Sequence, residues 1–192
     1  MKLHTIARMT LDDRLCRLFE IIKREGKVLD LGSGTISYQK KMLSTEYVTV
    51  DIKKEYRPMV CCDAHNLCFK DESFNIVICV ELLEHCNAPQ KVINAIFRTL
   101  KKNGVCILST RFIYPIHGEP YDFYRFTKYS LLLLFRRFRE FEIYPLGNRL
   151  TCVWDLIALK ITPLRIFNRI IKVFSNREDS LCPCGYVVYA KK

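Results

Sequence analysis

Four acidic side chains stand at or just after the ends of four consecutive apolar segments of the sequence. Asp30 lies just before the turn Gly32-Ser33-Gly34, and Asp51, Asp63 and Glu81 close or follow the next three segments. An ionised carboxylate accepts hydrogen bonds and attracts a cation, so it suits amino, ammonium and hydroxyl groups. The pattern predicts a site for a polar ligand of cationic character. The alternative is that these acids only cap helices and turns.

The glycine turn differs from that of a dinucleotide site. Such a site has the pattern G-x-G-x-x-G, and the third glycine is missing after Gly34. A carboxylate at Asp30 would also repel two phosphates. A ligand with an ammonium and a sulfonium group would instead be attracted by this carboxylate. Asp30 would then organise the ammonium, Asp51 the ribose hydroxyls, and Asp63 with the Ala64 amide the adenine amine, which together describe S-adenosylmethionine.

These residues need a scaffold that brings strand ends together, and the hydrophobic pattern supplies one. Strand-like and helix-like segments alternate along 192 residues, which favours one domain with a doubly wound, mostly parallel α/β sheet. Ligands of such sheets bind beyond the carboxyl ends of the strands. The predicted strands are 27–31, 47–51, 59–62, 74–80, 105–110, 140–145 and 185–190, and the predicted helices are 11–23, 38–43, 90–101 and 127–138.

The same motifs resemble those of class I S-adenosylmethionine-dependent methyltransferases of the type 11 family. The resemblance covers about residues 25–145, and its matching segments are 28–34, 50–52, 62–64, 74–77, 81–85 and 98–104. It implies a Rossmann-like sheet of seven strands in the order 3-2-1-4-5-7-6, with the last strand antiparallel. It also implies S-adenosylmethionine as the cofactor, bound by Asp30, Gly32, Ser33, Gly34, Asp51, Ile52, Asp63, Ala64, Val80 and Glu81.

Three residues are candidates for a catalytic base. Glu84 and His85 follow the fourth strand, and His117 lies in the loop 111–126 after the fifth. Methyl transfer from a sulfonium mainly needs alignment, and a base is needed only when the acceptor must lose a proton. His85 and His117 are therefore rivals for that role, and both have a structural alternative.

The loop 111–126 is expected to line one side of the acceptor pocket. In that interpretation Tyr121 and Tyr124 stack on or hydrogen-bond the acceptor, and Arg125 holds an anionic group. The alternative is a structural loop in which Asp122 pairs with Arg125 and Thr127 caps the next helix. The sequence leaves both interpretations open.

Charge is distributed unevenly along the chain. Residues 1–97 hold 14 Lys/Arg and 13 Asp/Glu, whereas residues 98–192 hold 17 and 7. Such asymmetry favours an anionic partner, either RNA or a membrane surface, although a merely solvated basic face is the alternative. Residues 164–174 are predicted to form a basic amphipathic helix that would cover the core, a second copy in a homodimer, or a membrane surface.

The predicted organisation is one methyltransferase domain, 1–192. It has an N-terminal helical segment 1–25, the acceptor-side loop 111–126 and a helical insertion 147–184 before the last strand. The ten cysteines lie mostly in apolar segments and the close pair Cys182 and Cys184 lacks nearby histidines, so no metal is expected. The first thirty residues lack an apolar signal-peptide core and no apolar run approaches about 20 residues, so we expect a cytoplasmic location, with peripheral membrane attachment as a variant.

The function predicted from the sequence is S-adenosylmethionine-dependent methyl transfer to a small-molecule, lipid-linked or glycan-related acceptor. Two alternatives remain at this point. One is a methyltransferase of RNA or protein, favoured by the basic second half. The other is a non-catalytic S-adenosylmethionine-binding interaction module.

Overall fold

A seven-stranded sheet of order β3-β2-β1-β4-β5-β7-β6 forms the centre of the protein. The computed structural model describes residues 4–22, 26–36, 38–42, 46–176, 179 and 181–192. All pairs are parallel except those of β7, which runs antiparallel to both β5 and β6. The predicted strand order is confirmed. The strands are β1 (Lys27–Leu31), β2 (Glu46–Asp51), β3 (Val60–Cys61), β4 (Phe74–Val80), β5 (Leu100–Arg111), β6 (Glu140–Leu146) and β7 (Gly185–Lys191).

Helices cover both faces of this sheet. On one face α1 (Ile6–Ile21) buries Leu15 and Phe19 against a cluster that includes Ile76 and Val187. A second cluster fills the other face, where α2 and α3 lie. Burying a large apolar side chain contributes roughly 1.5–3 kcal/mol, so these two layers hold the strand ends in place. The remaining α-helices are α2 (Pro89–Thr99), α3 (Lys128–Leu134), α4 (Arg149–Lys160) and α5 (Asn168–Lys172).

The predicted helix 38–43 is wrong within the described residues. Only a single 3-10 turn, Gln39–Lys41, occurs there, between Tyr38 and Met42. Those two side chains are buried in the α1 face while the turn itself is exposed. Two anchors four residues apart give too little apolar contact to stabilise several helical turns. Residues 43–45 lie outside the described part of the chain.

Strand β5 is longer than its pattern predicts. It begins at Leu100, five residues before the expected start, because Leu100 pairs with Phe74 at the start of β4. The register then shifts before Ile76 pairs with Val105, and Asn103 takes a positive φ of 63° in the irregular stretch. The predicted helix 90–101 accordingly ends at Thr99. The bulge is a tertiary feature that hydrophobic periodicity does not report.

The insertion between β6 and β7 lies at one edge of the sheet. Since β6 and β5 are both antiparallel to β7, the end of β6 and the start of β7 lie beside the end of β5. Asp155 of α4 accepts hydrogen bonds from the N–H groups of Ile6 (2.8 Å) and Ala7 (2.7 Å), which ties the insertion to the start of α1. None of the described helices combines the length and apolar character needed to span a bilayer.

The predicted helix 164–174 is split into three segments. Two 3-10 turns, Thr162–Phe167 and Val173–Asn176, flank α5. Asn168 at the junction is buried, accepts a hydrogen bond from Trp154 Nε1 and donates one to the carbonyl of His4. These long-range bonds fix the chain at the break, and they involve partners that local periodicity cannot report.

Candidate functional site

The glycine turn after β1 lies at the carboxyl-end edge of the sheet, where a ligand is expected to bind. Gly32 has φ +71°, and a Cβ atom there would lie 2.9 Å from the side chain of Leu82. Its N–H and that of Ser33 donate to the carbonyl of Val50 in β2, at 2.8 and 3.1 Å. Gly34 has φ +50° and open space where a side chain would stand. Glycine adopts these positive φ values without strain and adds no side chain. The turn therefore leaves room for a ligand against the main chain.

Asp51 lies at the end of β2, beside this turn. Its carboxylate accepts hydrogen bonds from the N–H groups of Gly34 (3.0 Å) and Lys53 (2.9 Å). The adjacent Ile52 is 63% exposed, an apolar surface next to a fixed carboxylate. Each carboxylate oxygen retains a further lone pair, so Asp51 can still accept from a ribose hydroxyl while Ile52 contacts a purine ring.

Asp63 and Ala64 follow β3 and extend the same edge. Asp63 is exposed, and its Oδ1 accepts from the N–H of His65 at 2.9 Å and contacts the His65 ring at 2.7 Å. Its other oxygen accepts no hydrogen bond from the described residues. This arrangement suits the adenine amine that the sequence assigns to it.

A cavity of about 220 Å³ opens beside the glycine turn. Its lining includes two acids, Asp30 and Glu81, and one cation, Arg8. A larger cleft of about 730 Å³ lies elsewhere, around Asp71, Arg98 and Lys192 near the starts of β4 and β5. Strand starts are the opposite edge from the acids, so the smaller cavity is the candidate site.

Asp30 lies buried at the base of this cavity. The Tyr47 hydroxyl donates to its Oδ2 at 2.6 Å. Burial raises the pKa of Asp30 to about 6, although the hydrogen bond from Tyr47 acts in the opposite direction. The group is therefore an anion at neutral pH, in a site where a cationic ligand would offset the desolvation of its charge.

Five lining residues are absent from the predicted cofactor-binding set: Arg8, Thr35, Ile36, Tyr38 and Tyr56. The Arg8 guanidinium donates to the Tyr38 hydroxyl at 2.9 Å and pairs with Asp12 at 2.8 Å. Arg8 reaches the cavity only because α1 packs across the sheet. No motif or spacing in the sequence marks it, since its neighbours in space are far away along the chain.

Glu81 is held in a strained position where β4 ends. It has a positive φ of 55°, and its Oε1 accepts from the Ser109 hydroxyl at 2.9 Å. Its other oxygen pairs with the buried guanidinium of Arg111. A non-glycine residue at positive φ persists only where surrounding contacts fix it, so this acid is positioned rather than free to move.

Glu84 is fully buried in a 3-10 turn, Leu83–His85. Its Oε2 accepts from the Thr110 hydroxyl at 2.8 Å, while Oε1 has no hydrogen-bond partner among the described residues. Burial, together with the negative charge of Glu81, raises the pKa of Glu84 to about 8.

His85 and His117 lie edge to face, with ring centroids 4.7 Å apart. The Nδ1 atom of His85 lies 2.5 Å from the carbonyl of Tyr121. Burial and the neighbouring His85 lower the pKa of His117, so its imidazole is mainly neutral at pH 7. The fold brings together the three residues proposed as bases, Glu84, His85 and His117, although they come from two distant segments.

The acceptor-side loop is organised by Asp122. This carboxylate accepts from the N–H of His117 at 2.7 Å and from both terminal nitrogens of Arg125 at 2.6 and 2.7 Å. Arg125 also donates to the carbonyl of Tyr114 at 3.2 Å. The hydrogen bonds from Arg125 hold the pKa of Asp122 well below its usual range. These contacts match the structural interpretation of the loop, while an anion-binding role for Arg125 stays a prediction.

The two loop tyrosines differ in their contacts. Tyr121 is 60% exposed, whereas the Tyr124 hydroxyl donates to the carbonyl of Asn87 at 3.1 Å. The N–H groups of Phe123 (2.9 Å) and Tyr124 (3.3 Å) donate to the carbonyl of Glu84, which docks the loop on the 3-10 turn. Contact of either tyrosine with an acceptor stays a prediction. Thr127 caps α3, because its hydroxyl accepts from the Ser130 N–H, as the structural interpretation requires.

The geometry fits S-adenosylmethionine. Two carboxylates and one guanidinium line the cavity, which suits a ligand whose methionine part carries an ammonium, a carboxylate and a sulfonium. Asp51 and Ile52 stand beside it, where a ribose and an adenine would continue along the strand ends. The open space at Gly34 lets such a ligand approach the main chain.

Known proteins share both the sequence motifs and the fold. Residues 29–108 match the family described as a methyltransferase domain, of type 11. An uncharacterized protein of Methanocaldococcus jannaschii is 32% identical over 93 residues, which cover 45% of this chain and 41% of that protein. A ubiquinone biosynthesis O-methyltransferase of Psychrobacter cryohalolentis is 37% identical over 54 residues, covering 25% and 21%. The chain therefore spans less than half the length of the curated relatives it matches.

Solved structures resemble nearly the whole chain. A SAM-dependent methyltransferase from Archaeoglobus fulgidus superimposes with a TM-score of 0.67 at 18% identity, covering 96% of this chain and 94% of that one. One from Mesorhizobium loti gives 0.63 at 13% identity, covering 93% and 96%. At such low identity these likenesses establish the fold. Together with the family match over residues 29–108, they show a methyltransferase domain with a Rossmann-like fold that is similar to the type 11 family, and they imply S-adenosylmethionine as its cofactor.

Proposed function

We propose that the chain transfers a methyl group from S-adenosylmethionine to a lipid-linked acceptor at an anionic membrane surface. The cofactor, when bound, supplies an electrophilic methyl group on its sulfonium. Asp51 would hold the ribose, Asp30 and Glu81 the ammonium, and Arg8 the carboxylate. The acceptor would enter from the side of Glu84 and the loop 111–126.

The observation that carries the lipid-linked acceptor is an exposed apolar surface on the insertion. On its second half Ile166 is 62%, Ile170 62% and Phe174 58% exposed. On α4 the exposed apolar residues recur along one side, at Leu150, Val153, Leu156 and Ile157. Monomeric proteins seldom expose so many large apolar side chains in one segment unless that segment meets a partner.

The charge of the same segment favours an anionic partner. Residues 147–176 contain five Lys/Arg and one acid, Asp155, which is buried against α1. Apolar side chains flanked by cations are the composition of helices that lie in the headgroup region of an anionic bilayer. Each basic residue near such a surface contributes about 1 kcal/mol of attraction.

The position of the segment connects it to catalysis. It leaves the sheet at the end of β6 and returns at the start of β7, the edge that also holds the ends of β1, β4 and β5. The cofactor cavity lies at this edge, beside Gly32 and Glu81. A membrane bound by the insertion would therefore lie close to the site that receives the acceptor.

Vesicle flotation tests the membrane contact. We expect the protein to float with vesicles that contain an anionic phospholipid and to stay in solution with purely zwitterionic ones. The double variant Ile170→Glu/Phe174→Glu should weaken vesicle binding at least about tenfold, because two apolar groups are replaced by charges that repel the surface. The matched control is Leu133→Glu on α3, where Leu133 is 66% exposed.

Other results would overturn the membrane contact. A homodimer that the double variant dissociates would assign the surface to a second copy. Steeply salt-dependent binding to RNA without vesicle binding would assign it to nucleic acid, which the basic second half also attracts.

Isotopically labelled cofactor identifies the acceptor class. After incubation with a cell lysate, we expect the label in the organic-solvent extract, on a product that partitions with lipids. Label only in RNA, protein or water-soluble metabolites contradicts a lipid-linked acceptor. The absence of any labelled product, with cofactor binding intact, would favour a non-catalytic binding module.

A further inference from the structure

We infer that Glu84, His85 and His117 form a binding site for a divalent transition-metal cation of the Zn²⁺ or Fe²⁺ class. One nitrogen or oxygen from each residue lies within 4.8 Å of those of the other two. Two imidazoles and one carboxylate are a donor set typical of such cations. Zinc bonds of about 2.1 Å place ligand atoms roughly 3.3 Å apart, so small side-chain rotations would close the site.

The hydrogen bonds of His85 leave its outer nitrogen available to a metal. Nδ1 lies 2.5 Å from the carbonyl oxygen of Tyr121, and a carbonyl only accepts, so Nδ1 carries the proton. The lone pair of the neutral ring is then on Nε2. A metal-bound histidine typically donates its other N–H to a backbone carbonyl or carboxylate in this way.

His117 is oriented by the same kind of contact. Its Nδ1 faces two acceptors, the carbonyl of Pro115 at 3.3 Å and Oδ2 of Asp122 at 3.5 Å. Asp122 is itself fixed by Arg125 and by the N–H of His117. The geometry favours the proton on Nδ1 and leaves Nε2 as the second nitrogen donor.

The third donor is an unpartnered oxygen in the interior. Glu84 is 0% exposed, and its Oε1 lacks a hydrogen-bond partner among the described residues, while Thr110 fixes Oε2. A buried polar atom without a partner is unfavourable by about 1–3 kcal/mol or more. A cation bound between Oε1 and the two imidazoles would satisfy it.

The backbone holds the two halves of the cluster together. The loop donates two N–H groups to the carbonyl of Glu84, as described above. Gly118 has φ +71°, and a Cβ atom there would lie 3.1 Å from Cε1 of His85. Glycine thus permits the loop to pack directly on the histidine ring, so that His117 reaches His85.

Three protein ligands leave coordination positions open on the loop side. An acceptor hydroxyl bound there would be oriented and made more acidic by the metal. This role rests on the proposed function, whereas cation binding itself does not. The sequence analysis expected no metal because Cys182 and Cys184 lack nearby histidines. It did not connect Glu84 and His85 with His117, which lies more than thirty positions away.

The test uses full-length protein free of any polyhistidine tag and treated with a chelator that is then removed. We expect calorimetry with Zn²⁺ alone to give one bound ion per chain, and Co²⁺ to give visible absorption bands of a four- or five-coordinate site. His117→Ala should weaken binding at least about tenfold. His65→Ala is the matched control, because His65 also contacts a carboxylate, Asp63, but lies outside the cluster.

Glu84→Gln provides a second variant that keeps the side-chain volume, and thermal melts of all variants verify folding. Metal affinity that is the same in His117→Ala and Glu84→Gln as in the wild type overturns the assignment. So does a strong thiolate charge-transfer band with Co²⁺, which would place the ion on cysteines. Vesicle binding and cofactor binding by His117→Ala are expected to stay normal, which separates failure of this site from failure of the proposed function.

Discussion

The backbone N–H of Gly34 donates a 3.0 Å hydrogen bond to Oδ2 of Asp51, so the turn after β1 is joined to the end of β2. The second oxygen of Asp51 accepts from the N–H of Lys53. Asp51 is only 9% exposed, and these two hydrogen bonds fix the direction of its carboxylate. The acid at the end of β2 is therefore both a structural link and the candidate ribose ligand.

Asp51→Ala is expected to weaken S-adenosylmethionine binding at least about tenfold, because hydrogen bonds to a charged group contribute roughly 1.5–3 kcal/mol. Isothermal titration calorimetry measures the affinity. Asp71→Ala is the control, since Asp71 pairs with Arg98 away from the cavity. Equal affinity of Asp51→Ala and wild type would remove Asp51 from the site.

Arg8→Gln tests whether the N-terminal helix contributes to the cofactor site. We expect it to weaken binding of S-adenosylmethionine about tenfold, through loss of an ion pair with the methionine carboxylate. Binding of decarboxylated S-adenosylmethionine should change little, because that analogue lacks the partner group. A similar loss for both ligands would mean that Arg8 acts only through its contacts with Tyr38 and Asp12.

The raised pKa of Asp30 predicts a pH dependence of folding stability. Its folded value of about 6 exceeds the ordinary value of about 3.9 for aspartate, so the folded state binds the proton more tightly. The contribution of Asp30 to the free energy of unfolding should fall as pH rises from about 4 to about 6 and then level off. In Asp30→Asn this fall should be absent. Denaturant titrations between pH 4 and 7 compare the two proteins, and parallel profiles would contradict the prediction.

Asp155→Ala should lower the free energy of unfolding by about 1–3 kcal/mol. Its carboxylate accepts from two N–H groups in the first turn of α1, and these donors would be left unsatisfied in the interior. Asp13→Ala is the control, because Asp13 forms a surface ion pair with Lys172, and its loss should change stability by less than about 1 kcal/mol. Urea unfolding measures both, and equal effects would refute the capping role.

Local pattern was enough to predict that the acids and glycines of the candidate cofactor site lie at one edge of the sheet. Asp30, Gly32, Gly34 and Asp51 belong to strand ends and a turn, whose geometry is set within a few residues of sequence. Strand termini of a parallel sheet share one edge, so their proximity follows from the fold class alone. The failed helix at 38–43 and the early start of β5 lie where burial against α1 and pairing with β4 override local preference.

The acceptor side could be predicted only as separate candidates. The sequence named Glu84, His85 and His117 as rivals, but their arrangement as one cluster depends on the docking of the loop onto the Glu84 carbonyl. It also left open whether Arg125 binds an anion, and the tertiary structure shows its nitrogens bonded to Asp122 and backbone carbonyls.

The sequence by itself determined most of the strands, the glycine turn and the acids at the strand ends, because these follow from periodicity and short-range geometry, and the resemblance to the type 11 family implied the sheet order. The tertiary structure decided the position of Arg8 in the cavity and the unpartnered oxygen of Glu84 beside two histidines. It also placed the exposed apolar insertion at the cofactor edge. These features depend on contacts between segments distant in the chain, whose partners are selected by packing of the whole domain and not by local preference.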